Sequence, residues 1–112
     1  MRPVKFAECS IDDCGIVRFL SLLDGPWATL IVRELLTGPH RFGELIKALD
    51  GISAHTLTNR LRGFETHGIV TRTVYSEIPP RVVYELTDIG QQLRPVLAAM
   101  NDWALTVPVP AS

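Results

Sequence analysis

No apolar run in this chain approaches the ~18 uninterrupted residues of a membrane span. The opening Met1-Arg2-Pro3-Val4-Lys5-Phe6-Ala7-Glu8 also lacks the apolar core of a signal peptide, so the expected location is the cytoplasm, away from any membrane. Cysteine is scarce: Cys9 and Cys14 are too few for a disulfide framework, though a switch disulfide, within one chain or between two, remains open. His40, His55 and His67 do not fall at metal-ligand spacing with cysteines or acids, so no metal is expected. There is no nucleophile elbow, phosphate loop or glycine fingerprint, which argues against an enzyme and against a bound cofactor. Aromatic residues are few (7%), and Phe19, Trp27 and Trp103 read as packing residues and not as a ligand cage. Net charge is only −1, which excludes a strongly basic nucleic-acid binder. Repeats and low-complexity tracts are missing too, so residues 1–112 read as a single domain.

What the chain does have is apolar content, 46%, generous for its length. Part of that surface is expected to face a partner. The informative stretch is residues 52–86. Residues 53–68 predict a helix: Ser53 suits its N-cap, Gly68 the left-handed position that ends it, and Leu57, Leu61 and Phe64 its buried stripe. The remaining positions His55, Thr56, Asn59, Arg60 and Arg62 are cationic or hydrogen-bonding, with no carboxylate before Glu65. Such side chains reach base edges and phosphates, from which acids would be repelled. An ordinary solvated helix face has the same composition, so the helix alone does not decide.

The following residues tip the balance. Residues 69–75 and 81–86 are rich in β-branched and aromatic side chains and read as two strands. Pro79 and Pro80 between them lack donors and make a stiff turn. A glycine-ended helix followed by a hairpin, with Arg72 and Arg81 expected near its tip, is the pattern of a winged helix-turn-helix. From Ser53 to Arg81, Arg60, Arg62, Arg72 and Arg81 stand against Glu65 and Glu77, a net +2. The chain from Glu85 onward is net −2, so a weakly positive face sits on an acidic body.

The other elements fall around this stretch. Asp12 or Asp13 is placed to cap a first helix ending near Leu23, with Ile16, Phe19, Leu20 and Leu23 along its apolar face. Pro26 opens a second helix, apolar on most sides and hence central. His40-Arg41 is a link suited to a short bridge with the wing sheet. Phe42, Leu45, Ile46 and Leu49 mark a third helix, and Asp50-Gly51-Ile52-Ser53 makes the turn into the fourth. After the wing, Thr87 caps a long last helix over residues 88–107, kinked at Pro95. Its stripe Val96, Leu97, Met100, Trp103 and Val107 has no place in a core this small, which calls for a second subunit. The fold class is therefore mainly α with a small β-hairpin wing: a DNA-binding core over about residues 25–87, and dimerisation helices over about 12–23 and 88–107.

These residues resemble the HxlR-type family of winged helix-turn-helix transcription regulators, related to the MarR group. The resemblance is carried by Cys14, by Gly25-Pro26-Trp27-Ala28-Thr29-Leu30-Ile31, and by Arg33-Glu34-Leu35-Leu36. It continues through Arg41-Phe42-Gly43-Glu44-Leu45, Gly51-Ile52-Ser53, Leu57-Thr58-Asn59-Arg60-Leu61 and Gly68-Ile69-Val70. Pro79-Pro80-Arg81-Val82-Val83-Tyr84, Leu86-Thr87, Gly90 and Trp103-Ala104 complete it. Pro26 departs from the family's usual Lys, which puts a charge contact there in doubt, and Phe64 from its frequent Leu, which alters packing only. The resemblance implies a homodimer on double-stranded DNA with a pseudo-palindromic operator. The DNA-binding set is then Arg41, Ser53, His55, Thr56, Asn59, Arg60, Arg62, Arg72 and Arg81. The dimer set is Ile16, Phe19, Leu20, Val96, Leu97, Met100, Trp103 and Val107. A small-molecule effector, in a pocket between the dimer helices and the DNA-binding lobe, is a further candidate partner.

In several family members the cysteine matching Cys14 senses oxidants or electrophiles, which makes Cys14, with Cys9 second, the redox candidate. The start of a helix lowers a thiol's pKa, whereas the adjacent Asp12 and Asp13 raise it. A small half-buried hydrophobe is the competing reading of Cys14. For the whole chain the competing reading is a winged-helix module that binds protein and not DNA.

Overall fold

The computed structural model describes residues 14–110. Its elements are α1 (Gly15–Leu22), α2 (Gly25–Leu35), β1 (His40–Arg41), α3 (Phe42–Ala48), α4 (Ala54–Thr66), β2 (Val70–Tyr75), β3 (Arg81–Leu86), α5 (Asp88–Gln91) and α6 (Leu93–Ala104). The apolar periodicity of α2 makes it the centre. Ala28, Ile31, Val32 and Leu35 are buried on it, and it packs against α3, β3 and α6. Leu45 comes in from α3 and Leu49 from its C-cap, Leu57, Leu61 and Phe64 from α4, and Ile69, Val70, Tyr84 and Leu86 from the wing and its base, in one continuous core.

The sheet is antiparallel in the order β1-β3-β2. The short bridge expected at His40-Arg41 forms: His40 faces Tyr84 and Arg41 faces Val83. In the hairpin the register runs from Val70 opposite Leu86 to Tyr75 opposite Arg81. Only the first residue of β2 is buried, so the hairpin leaves the body as a wing. The register corrects one expectation. Arg81 stands at the tip, but Arg72 lies mid-strand opposite Tyr84, because alternation along a strand does not reveal how far it runs before it turns.

Local chemistry fixes the joints around the wing. Ser53 Oγ accepts from Thr56 N at 3.0 Å and caps α4. Gly68 has φ +71°, where a Cβ would be strained, and lets the chain turn from α4 into β2. At the far end, Thr87 Oγ1 donates to Gly68 O at 2.6 Å and accepts from Gly90 N at 3.2 Å. A Cβ on Gly90 would run into Ile69 O and would stand 2.9 Å from Leu86 Cδ2. Only glycine allows α5 to lie this close to the base of the wing.

Two helices differ from the sequence expectation. The N-cap of α1 is Cys14, with the helix proper starting at Gly15, so neither Asp12 nor Asp13 is the cap; both lie outside the described residues. The expected single helix over residues 88–107 is two, α5 and α6, separated at Gln92. Pro95 has no N–H for the carbonyl of Gln91 and its ring crowds that oxygen, so the ladder cannot run through. The last helix also ends at Ala104, and Val107 lies beyond it in a turn where its N–H donates to Ala104 O at 3.2 Å. Neither α1 nor α6 holds a buried residue. The radius of gyration is 16.4 Å, against about 13 Å for a compact domain of roughly 100 residues.

Candidate nucleic-acid interface

The outer face of α4 is set by its apolar stripe. With Leu57, Leu61 and Phe64 buried, His55, Asn59, Arg62 and Thr66 point away from the core and are exposed. Asn59 Nδ2 lies 3.1 Å from His55 Nε2, so with that nitrogen unprotonated the amide donates to it and is held in one orientation. Ser53 Oγ donates to Thr56 Oγ1 at 2.9 Å, which ties the cap residue to the first turn. No acid stands on the helix before Glu65.

Arg60 is placed differently from the expectation that it shares this face. Leu57 and Phe64 lie three before and four after it, so it sits on the edge of the apolar stripe and is half-buried. Its Nη1 is 3.9 Å from Asp24 Oδ2 at the α1–α2 junction, and its Nη2 approaches Gly25, which leaves room for it. Thr56 and Asn59 border the shallow hollow beside it. Arg81 is held within the wing: its Nη2 is 3.3 Å from Glu77 Oε1, and its guanidinium carbon lies 4.0 Å from the centroid of the Tyr75 ring. Arg62 and Arg72 meet at one notch between α4 and the sheet, with Thr58, Glu65 and Tyr84. Arg41 caps α3, where its backbone N donates to Glu44 Oε1 at 2.8 Å. Sequence reasoning missed Asp24, Tyr75, Glu77, Thr58 and Tyr84 as neighbours of these arginines. No periodic signal marks them, since each is brought in by tertiary packing or strand register.

Cys14 is half-buried at the start of α1, and its carbonyl accepts from Arg18 N at 3.0 Å. Cys9 lies outside the described residues. Of the dimer candidates, Ile16, Leu20, Val96, Met100, Trp103 and Val107 are exposed, with Trp103 at 71%. Phe19 and Leu97 instead pack partly on the core. Ile89 and Leu105, also exposed and apolar, were not expected. Between α2 and α6 lies an open cleft of about 630 Å³, lined by Leu30, Leu36, Leu97 and Met100 with Arg33, Arg94 and Asp102. Arg94 Nη2 donates across it to Leu36 O at 2.7 Å. Among the described residues no group of three His, Cys, Asp or Glu could hold a metal ion, and no single helix is long and apolar enough to cross a membrane.

The helix, turn, helix and hairpin arrangement is matched from residue 22 to residue 108 by the family model described as HxlR-like helix-turn-helix. The chain belongs to the HxlR-like helix-turn-helix family. This HxlR-like chain is 52% identical over 94 residues to the uncharacterised HTH-type transcriptional regulator sll1512 of Synechocystis, covering 80% of the chain and 70% of that protein. A solved structure from Enterococcus faecalis V583, described as a transcriptional regulator of the MarR family, is 43% identical with a TM-score of 0.74, covering 81% of this chain and 83% of that one. The redox regulator HypR in its reduced form is 32% identical with a TM-score of 0.78, covering 83% and 92%. The fold is thus a MarR-like winged helix, and the HxlR-like chain is an HTH-type transcriptional regulator, a class of protein that is not enzymatic.

Proposed function

We propose that this regulator binds DNA sequence-specifically as a homodimer on a pseudo-palindromic operator. The observation that carries the reading is the outer face of α4, where His55, Asn59 and Arg62 stand exposed in line with no carboxylate before Glu65. Asn and His in that arrangement read base edges in a major groove and Arg62 reaches its phosphate border, while Ser53 and Thr56 at the helix start, Arg41 and the wing's Arg72 and Arg81 flank it. The two-fold assembly is supported by the exposed apolar residues of α1 and α6 and by their lack of any buried residue. Double-stranded DNA as partner implies the cytoplasm as its place of work.

The deciding experiment is a salt titration of binding to random duplex DNA, followed by selection of a preferred sequence. Affinity should fall steeply with salt, since each phosphate contact releases counterions. Salt-insensitive or absent binding rejects the reading. One set of observations favours the protein-binding alternative: the net charge of −1, and the pairing of Arg60 and Arg81 with carboxylates. Absent binding to any duplex would turn the assignment to that alternative.

A signal input is part of the proposal. Cys14 stands where α1 begins, and the similar HypR is named a redox regulator. Mild oxidant should change DNA affinity in the wild type and leave Cys14→Ser unchanged. A Cys14→Ser protein that responds like the wild type removes Cys14 as sensor. The cleft between α2 and α6 is the place for a small-molecule effector, since it joins the DNA-binding core to the C-terminal arm.

A further inference from the structure

The structure divides four of the interface's five arginines, those of α4 and the wing, into two kinds. Arg60 pairs with Asp24 and Arg81 with Glu77, so a phosphate reaches either one only by displacing a carboxylate. Arg62 and Arg72 take part in no ion pair among the described residues. Their backbones belong to different elements, yet both side chains line one notch of about 390 Å³. Its position follows from the fold: α4 packs on β2, Arg62 sits in the third turn of α4, and the register sets Arg72 opposite Tyr84. The other lining residues are Thr58, Tyr84 and Glu65. Thr58 and Tyr84 offer hydroxyl donors. Glu65 lies beyond ion-pair distance of both arginines, which leaves the notch with a net positive charge.

Two guanidinium groups brought to one notch from a helix and a strand, with two hydroxyl-bearing residues in the same lining, form a seat for one tetrahedral anion. We infer that Arg62 and Arg72 together hold a single phosphate of the DNA backbone at the junction of recognition helix and wing. The inference rests on the DNA-binding reading above and assigns the phosphate contact to this pair. Held this way, one phosphate fixes the angle between helix and wing, and with it the depth at which His55 and Asn59 meet the groove.

The test compares the full-length wild type with Arg62→Gln, Arg72→Gln and the double variant, all on one random-sequence duplex at several salt concentrations. Both residues are exposed, so the variants should keep the wild-type unfolding transition. If the arginines share a phosphate, the slope of log affinity against log salt falls in the double variant by about 0.9 per protomer, about 1.8 for the homodimer, and by less in either single one. If they hold separate phosphates, each single variant of the homodimer loses about 1.8 and the double about 3.6, which overturns the inference. An unchanged slope in the double variant overturns it as well. A wild type that shows no salt-dependent binding fails at the earlier step, since it rejects DNA binding itself. Glu65→Gln supplies an independent arm: it should tighten binding in the wild type and have no effect in the double variant. Equal tightening in both would separate Glu65 from the arginines and overturn the shared seat.

Discussion

Arg60 shows how a contact outside a helix's own sequence decides what a residue on that helix can do. Its position in α4 gives it a view of the groove, but Asp24, thirty-six residues earlier in the chain, holds its guanidinium at 3.9 Å. The pair is largely solvated, so its effect on folding should be under about 1 kcal/mol. Asp24→Asn should therefore leave the denaturation midpoint almost unmoved while tightening binding to DNA, measured in parallel on one preparation. A large fall in the midpoint with unchanged affinity would mean that the pair is structural. Arg60→Ala should narrow the gap between specific and random duplexes, because a base contact is worth roughly 1–3 kcal/mol of discrimination. Arg81, clasped by Glu77 and stacked on Tyr75, should behave otherwise. Arg81→Ala should weaken all duplexes alike and change the salt slope less than loss of the Arg62 and Arg72 pair. The kind of residue needed was legible in the sequence, since an acid-free run on α4 is a local property. Which arginine is engaged was not, because Asp24, Glu77 and Tyr84 arrive through folding.

Whole elements were legible wherever a period ran long enough to define a face. The stripe of α4, the apolar α2 and the β-branched hairpin all formed where the pattern set them, as did the short bridge at His40-Arg41. The C-terminal arm was legible in cause and not in extent: Pro95 announced a kink, but the break falls at Gln92, where the missing bond is felt. Ser53→Ala should cost about 1 kcal/mol in chemical denaturation, since the amide of Thr56 loses its acceptor. Gly90→Ala should cost more, about 1–3 kcal/mol, because the added methyl meets the backbone of Ile69 and the side chain of Leu86. A Gly90→Ala protein with wild-type stability would show that α5 can move away from the wing at no cost.

At the scale of the molecule, the exposed apolar residues and the radius of gyration of 16.4 Å describe an extended chain with much apolar surface in the open, which is the ground for the proposed dimer. Trp103, 71% exposed on α6, is the sharpest case. Sedimentation at micromolar concentration should show a dimer, and Trp103→Ala should shift it toward monomer with loss of DNA affinity. A stable wild-type monomer that still binds DNA would disprove the assembly. The exposed stripe itself was legible, because a chain of this length cannot bury it alone. The partial burial of Leu97 was not, since it comes from the packing of α6 on α2. That break carries one more consequence. Thr87 and Gly90 weld α5 to the base of the wing, and α6 starts afresh after Gln92. α6 is a lever of twelve residues, about 18 Å long at the helical rise. In a dimer joined through such levers, a few degrees at Gln92 become ångströms between the two reading heads. In the proposed dimer this joint would act as a ruler, setting how many base pairs can separate the operator half-sites.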